Sequence, residues 1–219
     1  MEAVLAGLAL GFGSGVSPGP LLALAIAVTL RRGLRSGLAV ATAPLITDTL
    51  IILLALTLVR QLPTTVVAYL SLAGCVVVGW FAWENISAAR TANVDQLRPT
   101  SIDQTTNVAR ITTTWLQHPL AQATFVNLTN PAPWLFWITA GAPLLVTFAN
   151  RSISLAFAYL ACFYLAIVGS KAILVIATSK GRHRLSNRGY AGILLSIGVL
   201  MIFVAAGLFI SAMRALISG

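Results

Sequence analysis

The stretch GFGSGVSPGPLLALA, residues 11–25, lies inside an apolar run that is otherwise fit to cross a membrane. Its first ten positions are crowded with glycine, serine and proline. Proline lacks an N–H and clashes with the carbonyl four residues back, so a helix entering Pro18 and Pro20 loses backbone hydrogen bonds. At membrane depth no water meets the freed groups, and protein or ligand must do so. The interruption reads as a binding site.

The rest of the chain sets that reading in a membrane. Of 219 residues, 58% are hydrophobic and 9% charged, where a soluble domain carries about a quarter charged. Several apolar stretches reach the ~20 residues that span ~30 Å of hydrocarbon. The net charge of +9 would suit nucleic acid, but nearly all the charges fall between apolar runs as membrane topology requires, so the expected surroundings are a lipid bilayer and no nucleic acid. Cys75 and Cys162 stand alone, outside any CxxC, and no metal site, disulfide framework or cofactor is expected. Glu2 precedes the first run and Arg31, Arg32 and Arg35 follow it, the reverse of a signal peptide, so the first span is expected to be retained.

Six spans are predicted, at residues 4–30, 37–59, 66–83, 119–148, 153–178 and 189–213. The fold class is an all-α integral membrane protein forming a single transmembrane domain over residues 1–219. It divides into repeat 1 at about 1–84, a polar cytoplasmic loop at about 85–118 and repeat 2 at about 119–219. The odd-numbered connections hold Arg31, Arg32, Arg35, Arg90, Arg98, Arg110, Lys180, Arg182, Arg184 and Arg188; the even ones and the C-terminal segment hold Arg60, Arg151 and Arg214. Ten against three puts the odd connections in the cytoplasm and both termini outside.

A second interruption, Asn130-Pro131-Ala132-Pro133, answers Ser17-Pro18-Gly19-Pro20 in the fourth span. Each falls in the first span of a three-span half, and such halves have opposite orientation. Interrupted spans at matching places in inverted halves point to a transporter's midplane site. New half-helices would start at Leu21 and Trp134, where unpaired N–H groups and the positive end of the helix dipole suit a carboxylate. Gly7, Gly11 and Gly15 form a small-residue stripe that favours helix packing and permits a homo-oligomer.

Two charged side chains lie well inside the predicted spans. Asp48 is the twelfth residue from Gly37, so ~17 Å deep at ~1.5 Å per residue. A carboxylate there is a functional candidate by default. Lys171 either snorkels toward Lys180 and the cytoplasmic face or lines the cavity beside Asp48. Ser17, Gln122, Asn127 and Asn130 flank the breaks, to order a ligand or to satisfy freed backbone. With no further charge in the cavity, a neutral substrate is favoured.

The stretch from Gly11 to Val59, with its PGP, basic glycine-containing loop and second-span Asp48, resembles the start of the LysE/RhtB family of bacterial amino-acid exporters, and NLTNPAPWLFWITAGAPLL resembles that family's second landmark. The resemblance implies no enzyme and no catalytic residue, but efflux of an amino acid or close derivative across the bacterial cytoplasmic membrane by proton antiport. It carries function onto Pro18, Gly19, Pro20, Asp48, Asn130 and Pro131. Asp48 is then a substrate ligand, the proton carrier, or both in alternation. Two departures, Ala43-Pro44 and Thr47 where the family has glycines and Ala132-Pro133 where it favours Lys, imply altered substrate chemistry. The alternatives are a divalent-metal or other small-solute exporter of the same architecture, a thiol–disulfide carrier using Cys75 and Cys162, and a non-transporting scaffold.

Overall fold

A computed structural model describes residues 1–90, 118–179 and 187–218. Among these the chain is helical throughout its apolar runs. Helix α1 (Glu2–Val16) and α2 (Pro20–Arg32) meet at 60°. Then come α3 (Leu34–Ala41), α4 (Ala43–Val59) and α5 (Thr64–Arg90). The second half holds α6 (Pro119–Thr129), α7 (Pro131–Phe136), a π-helical turn (Trp137–Gly141) and α8 (Ala142–Arg151). It ends with α9 (Ile153–Ser179) and α10 (Asn187–Ser218).

Among the described residues, five helical stretches are long and apolar enough to cross a membrane, and six if α1 and α2 count as one bent span. Large apolar side chains face outward, among them Leu53, Val76, Leu165 and Phe203. In water so much exposed hydrocarbon would aggregate; in lipid it is the expected outer face. The protein is a multi-pass membrane protein.

Lipid supplies no hydrophobic drive between helices, so close packing has to hold the bundle together. The stripe of Gly7, Gly11 and Gly15 lies on the backbone of α9: a methyl group added at Gly7 would sit 2.5 Å from the Tyr159 carbonyl oxygen. Within an otherwise aliphatic core lies an aromatic cluster. Phe136 stacks on Phe163 at 5.7 Å between ring centres, and Trp137 meets Phe163 edge-on at 5.0 Å. Such pairs contribute about 0.5–1.5 kcal/mol each beyond burial.

Gly33 closes α2 and opens α3 at φ 85° and ψ 174°, a region open essentially to glycine alone. A Cβ there would meet nothing within 4 Å, so the penalty of substitution is torsional. Gly33→Ala is expected to cost about 1–3 kcal/mol, read as a lower thermal-unfolding midpoint in detergent.

Two boundaries that bear on the site differ from the sequence expectation. The third span does not stop at residue 83: α5 runs to Arg90, because Glu84 and Asn85 are taken into the bundle rather than left in a loop. The second half-helix begins at Pro131, three residues before Trp134, because proline is well accommodated in a first helical turn. Of the loop expected at about 85–118, residues 91–117 lie outside the described residues, as do Arg98, Arg110, Lys180, Arg182 and Arg184.

Candidate functional site

A cavity of about 280 Å³ opens where α1 gives way to α2, bounded by α4, α5, α6, α7 and α9. This is near the low end of small-molecule sites. Ser17, Pro18, Gly19, Pro20, Asp48, Asn127, Asn130 and Lys171 all line it; Pro131 and Gln122 do not.

The geometry begins with the missing N–H of Pro18. A regular helix would donate that hydrogen to the Ser14 carbonyl, four residues back. Here the Lys171 ammonium takes its place, donating to the Ser14 carbonyl at 3.1 Å and the Gly15 carbonyl at 3.0 Å. Lys171 is buried, 3% exposed, so it does not snorkel. Ammonium-to-carbonyl bonds of this kind contribute about 1.5–3 kcal/mol each.

Past the break, α2 starts with Gly19 as its N-cap and Pro20 in the first turn, and no side chain caps it. The first intrahelical bond runs from Ala23 N–H to the Gly19 carbonyl at 3.0 Å. The N–H groups of Leu21 and Leu22 therefore have no acceptor within the helix, and both residues line the cavity.

The second interruption is built differently. Only Asn130 leaves the helical path, with φ −77° and ψ 122°. Its side chain turns back to accept from the Ala132 N–H at 3.1 Å. Pro131 and Pro133 have no N–H to offer, so this helix start is largely closed to a ligand. The Leu128 carbonyl, which stands to Pro131 as Gly15 stands to Pro18, accepts from the Trp134 indole at 2.9 Å. The pair of facing anion sites expected from the prolines is reduced to one open N-terminus, that of α2.

Asp48 lies on α4, 3% exposed. Its Oδ1 accepts from Asn127 Nδ2 at 3.1 Å and lies 3.3 Å from the Thr47 hydroxyl. Asn127 Nδ2 also donates to Thr47 Oγ1 at 2.6 Å. This cluster ties α4 to α6 across the two halves of the chain. Trp137, in the π turn, faces the Asp48 carboxylate, yet its buried indole N–H reaches no acceptor within hydrogen-bond geometry. π turns inside α-helices recur at functional sites.

Two residues escaped the sequence reading. Glu84 lines the cavity with Asp48 and Lys171, so the premise behind a neutral substrate, that the cavity holds no further charge, does not stand. Its neighbour Asn85 is fully buried and donates to Ser17 Oγ and to the Phe81 carbonyl, both at 2.8 Å, while its own Oδ1 finds no donor. The signal was there in the spacing: Trp80, Phe81 and Glu84 share one helical face, and all three line the cavity. Cys75 and Cys162 are free thiols outside the cavity lining. Among the described residues no three His, Cys, Asp or Glu side chains gather.

The cavity thus offers an open helix N-terminus for an anionic group, two carboxylates for cationic groups or protons, and aromatic walls. No curated protein and no solved structure matches the chain. The sequence profile of LysE type translocators matches residues 14–212, a span that takes in both interruptions and every cavity residue named above. The chain belongs to the LysE type translocator family and is a membrane exporter.

Proposed function

We propose that the protein exports an amino acid or a close derivative from the cytoplasm in exchange for protons. One observation carries this reading: Asp48 is buried in the cavity, held by Asn127 and Thr47, within reach of a ligand seated on the start of α2. The N–H groups of Leu21 and Leu22 would hold the substrate carboxylate. Asp48 would bind the amino group in one state and a proton in the other, so that the two ligands exclude each other. Ser17, Asn127 and the Pro18-Gly19-Pro20 turn shape the site. Asn130 and Pro131 act by starting α7.

Alternating access would be a rocking of two inverted halves, 1–90 and 119–218, around this site. The packing favours it. A two-fold exchange of spans 1, 2 and 3 with spans 4, 5 and 6 turns packing of span 1 on span 5 into packing of span 4 on span 2 and maps span 3 on span 6 onto itself; α1 packs on α9, α6 on α3 and α4, and α5 on α10.

Both termini are placed outside the cytoplasmic membrane in this reading. The ion pair of Glu2 with Arg151, at 2.9 Å, keeps the N-terminus and the connection before α9 at one end of the bundle. A reporter enzyme active only outside the cytoplasm, fused after Gly219, is expected to be active. An expressed but silent fusion overturns this orientation.

The activity test is export from cells loaded with a panel of amino acids by dipeptide feeding, against empty vector at matched growth. Efflux of one substrate group above vector supports the reading. A panel without any efflux overturns it and turns attention to divalent metals, for which Asp48 and Glu84 are the cavity's carboxylates.

Glu84 favours a second reading of the substrate. With the Lys171 ammonium spent on backbone carbonyls, the cavity's ligand-facing charges are two carboxylates, which suits a substrate with a cationic side chain over a neutral one. Glu84→Gln is then expected to lower export of cationic amino acids about 10-fold, as loss of a ~1.4 kcal/mol contact gives, and to spare neutral ones. Equal effects on both, measured by competition in the same efflux assay, would return the choice to a neutral substrate.

A further inference from the structure

Transporters built on broken helices use the freed carbonyls of the first half-helix as a cation site, and coupling ions are held there. The first break of this chain has such carbonyls. Ser14 loses its donor to Pro18, and Gly15 loses its own because the chain has left the helix by Gly19. Both carbonyls accept from one group, the Lys171 ammonium of α9, at 3.1 and 3.0 Å.

We propose that Lys171 is a resident cation: its ammonium fills the monovalent-cation site at the end of α1, so that no sodium ion binds there and the break holds its shape without one. This deepens the proposed exchange against protons by explaining why sodium is not the coupling ion, and it rests on that reading only for its consequence in transport.

Three features carry it. The lysine is buried, although its stem is long enough to seek water, so its position is chosen by the carbonyls. The approach is made possible by Gly15, whose missing side chain leaves room for α9 at Ser170 and Ile167. At the second break the matching carbonyl, that of Leu128, is met by the neutral indole of Trp134, so a charge is built into the first break alone. Asp48 and Glu84 share the cavity with the ammonium and keep the local charge from being purely positive.

The test needs no substrate and so stands apart from the activity assay. The full chain is purified in detergent, and its thermal-unfolding midpoint is followed in choline chloride as choline is replaced by sodium or by ethylammonium. Wild type is expected to be indifferent to both. Lys171→Ala is expected to melt about 5–10 °C lower and to recover at least half of that loss, saturably, with ethylammonium or sodium. Lys171→Met, whose stem fills the hole without a charge, is expected to melt low and stay low. Lys171→Arg keeps the cation and is expected to melt within about 3 °C of wild type, which keeps the idea testable where the alanine variant cannot be purified. A saturable rise of the wild-type midpoint with sodium overturns the proposal. So does a Lys171→Ala protein that melts like wild type, or one that no cation restores, since the lysine would then be packing alone. An arginine variant that melts as low as Lys171→Met does the same.

Discussion

Asp48→Asn is expected to reduce export by about 100-fold or more while leaving the protein folded in the membrane. Asparagine keeps the shape of aspartate and an Oδ1 that can still accept from Asn127 Nδ2, now 3.1 Å away, so the link between α4 and α6 survives. What goes is the negative charge and the ability to take up and release a proton. Charge-assisted contacts contribute about 1.5–3 kcal/mol each, and at ~1.4 kcal/mol per decade two of them reach a factor of about 100. Efflux at matched membrane abundance measures it. Near-normal efflux by Asp48→Asn would remove Asp48 from both of its proposed roles. Efflux lost together with abundance would assign it a structural role instead.

Gly11→Leu is expected to prevent assembly. A Cβ at Gly11 would meet the Phe163 carbonyl and stand 2.8 Å from the Ala166 Cβ, so backbone faces backbone and no side chain can swing away. Overpacking by a few methylenes costs about 1–3 kcal/mol where neighbours can shift. Here α1 would have to part from α9 along the stripe, taking Lys171 away from the Ser14 and Gly15 carbonyls. The variant should be scarcely detectable in membranes, and Gly11→Ala should melt lower than wild type. Gly79→Ala is the contrast, since an added Cβ there meets nothing within 4 Å. Normal abundance of Gly11→Leu would mean that α1 and α9 are not packed as described.

The sequence is most legible where chemistry leaves no choice. Apolar length and the scarcity of charge give the membrane and, among the described residues, five spans, or six with α1 and α2 taken as one bent span. The prolines at 18 and 20 mark the place where α1 cannot continue, and Asp48 stands out because a carboxylate is costly in hydrocarbon. The errors come where a residue's role depends on what it meets. Glu84 and Asn85 look like the start of a loop when hydropathy is counted, and only the fold shows that one lines the cavity and the other holds Ser17. Pro131 and Pro133 look like a break as deep as the first. Both fit the first turn of α7, and Asn130 alone leaves the helical path. Lys171 could not be read from its distance to Lys180, because that spacing says nothing of which face of α9 it occupies. Its partners are carbonyls over 150 residues away, freed by Pro18.

The most direct test of proton exchange at Asp48 is made in proteoliposomes enclosing a pH-sensitive dye, with the substrate that the efflux panel identifies. Loading that substrate inside and diluting the vesicles into substrate-free medium sets up an outward gradient. Substrate leaving should draw protons in and acidify the lumen, and Asp48→Asn vesicles should show neither flux nor acidification. Substrate efflux without any change of lumenal pH, or the same acidification with Asp48→Asn, would contradict it.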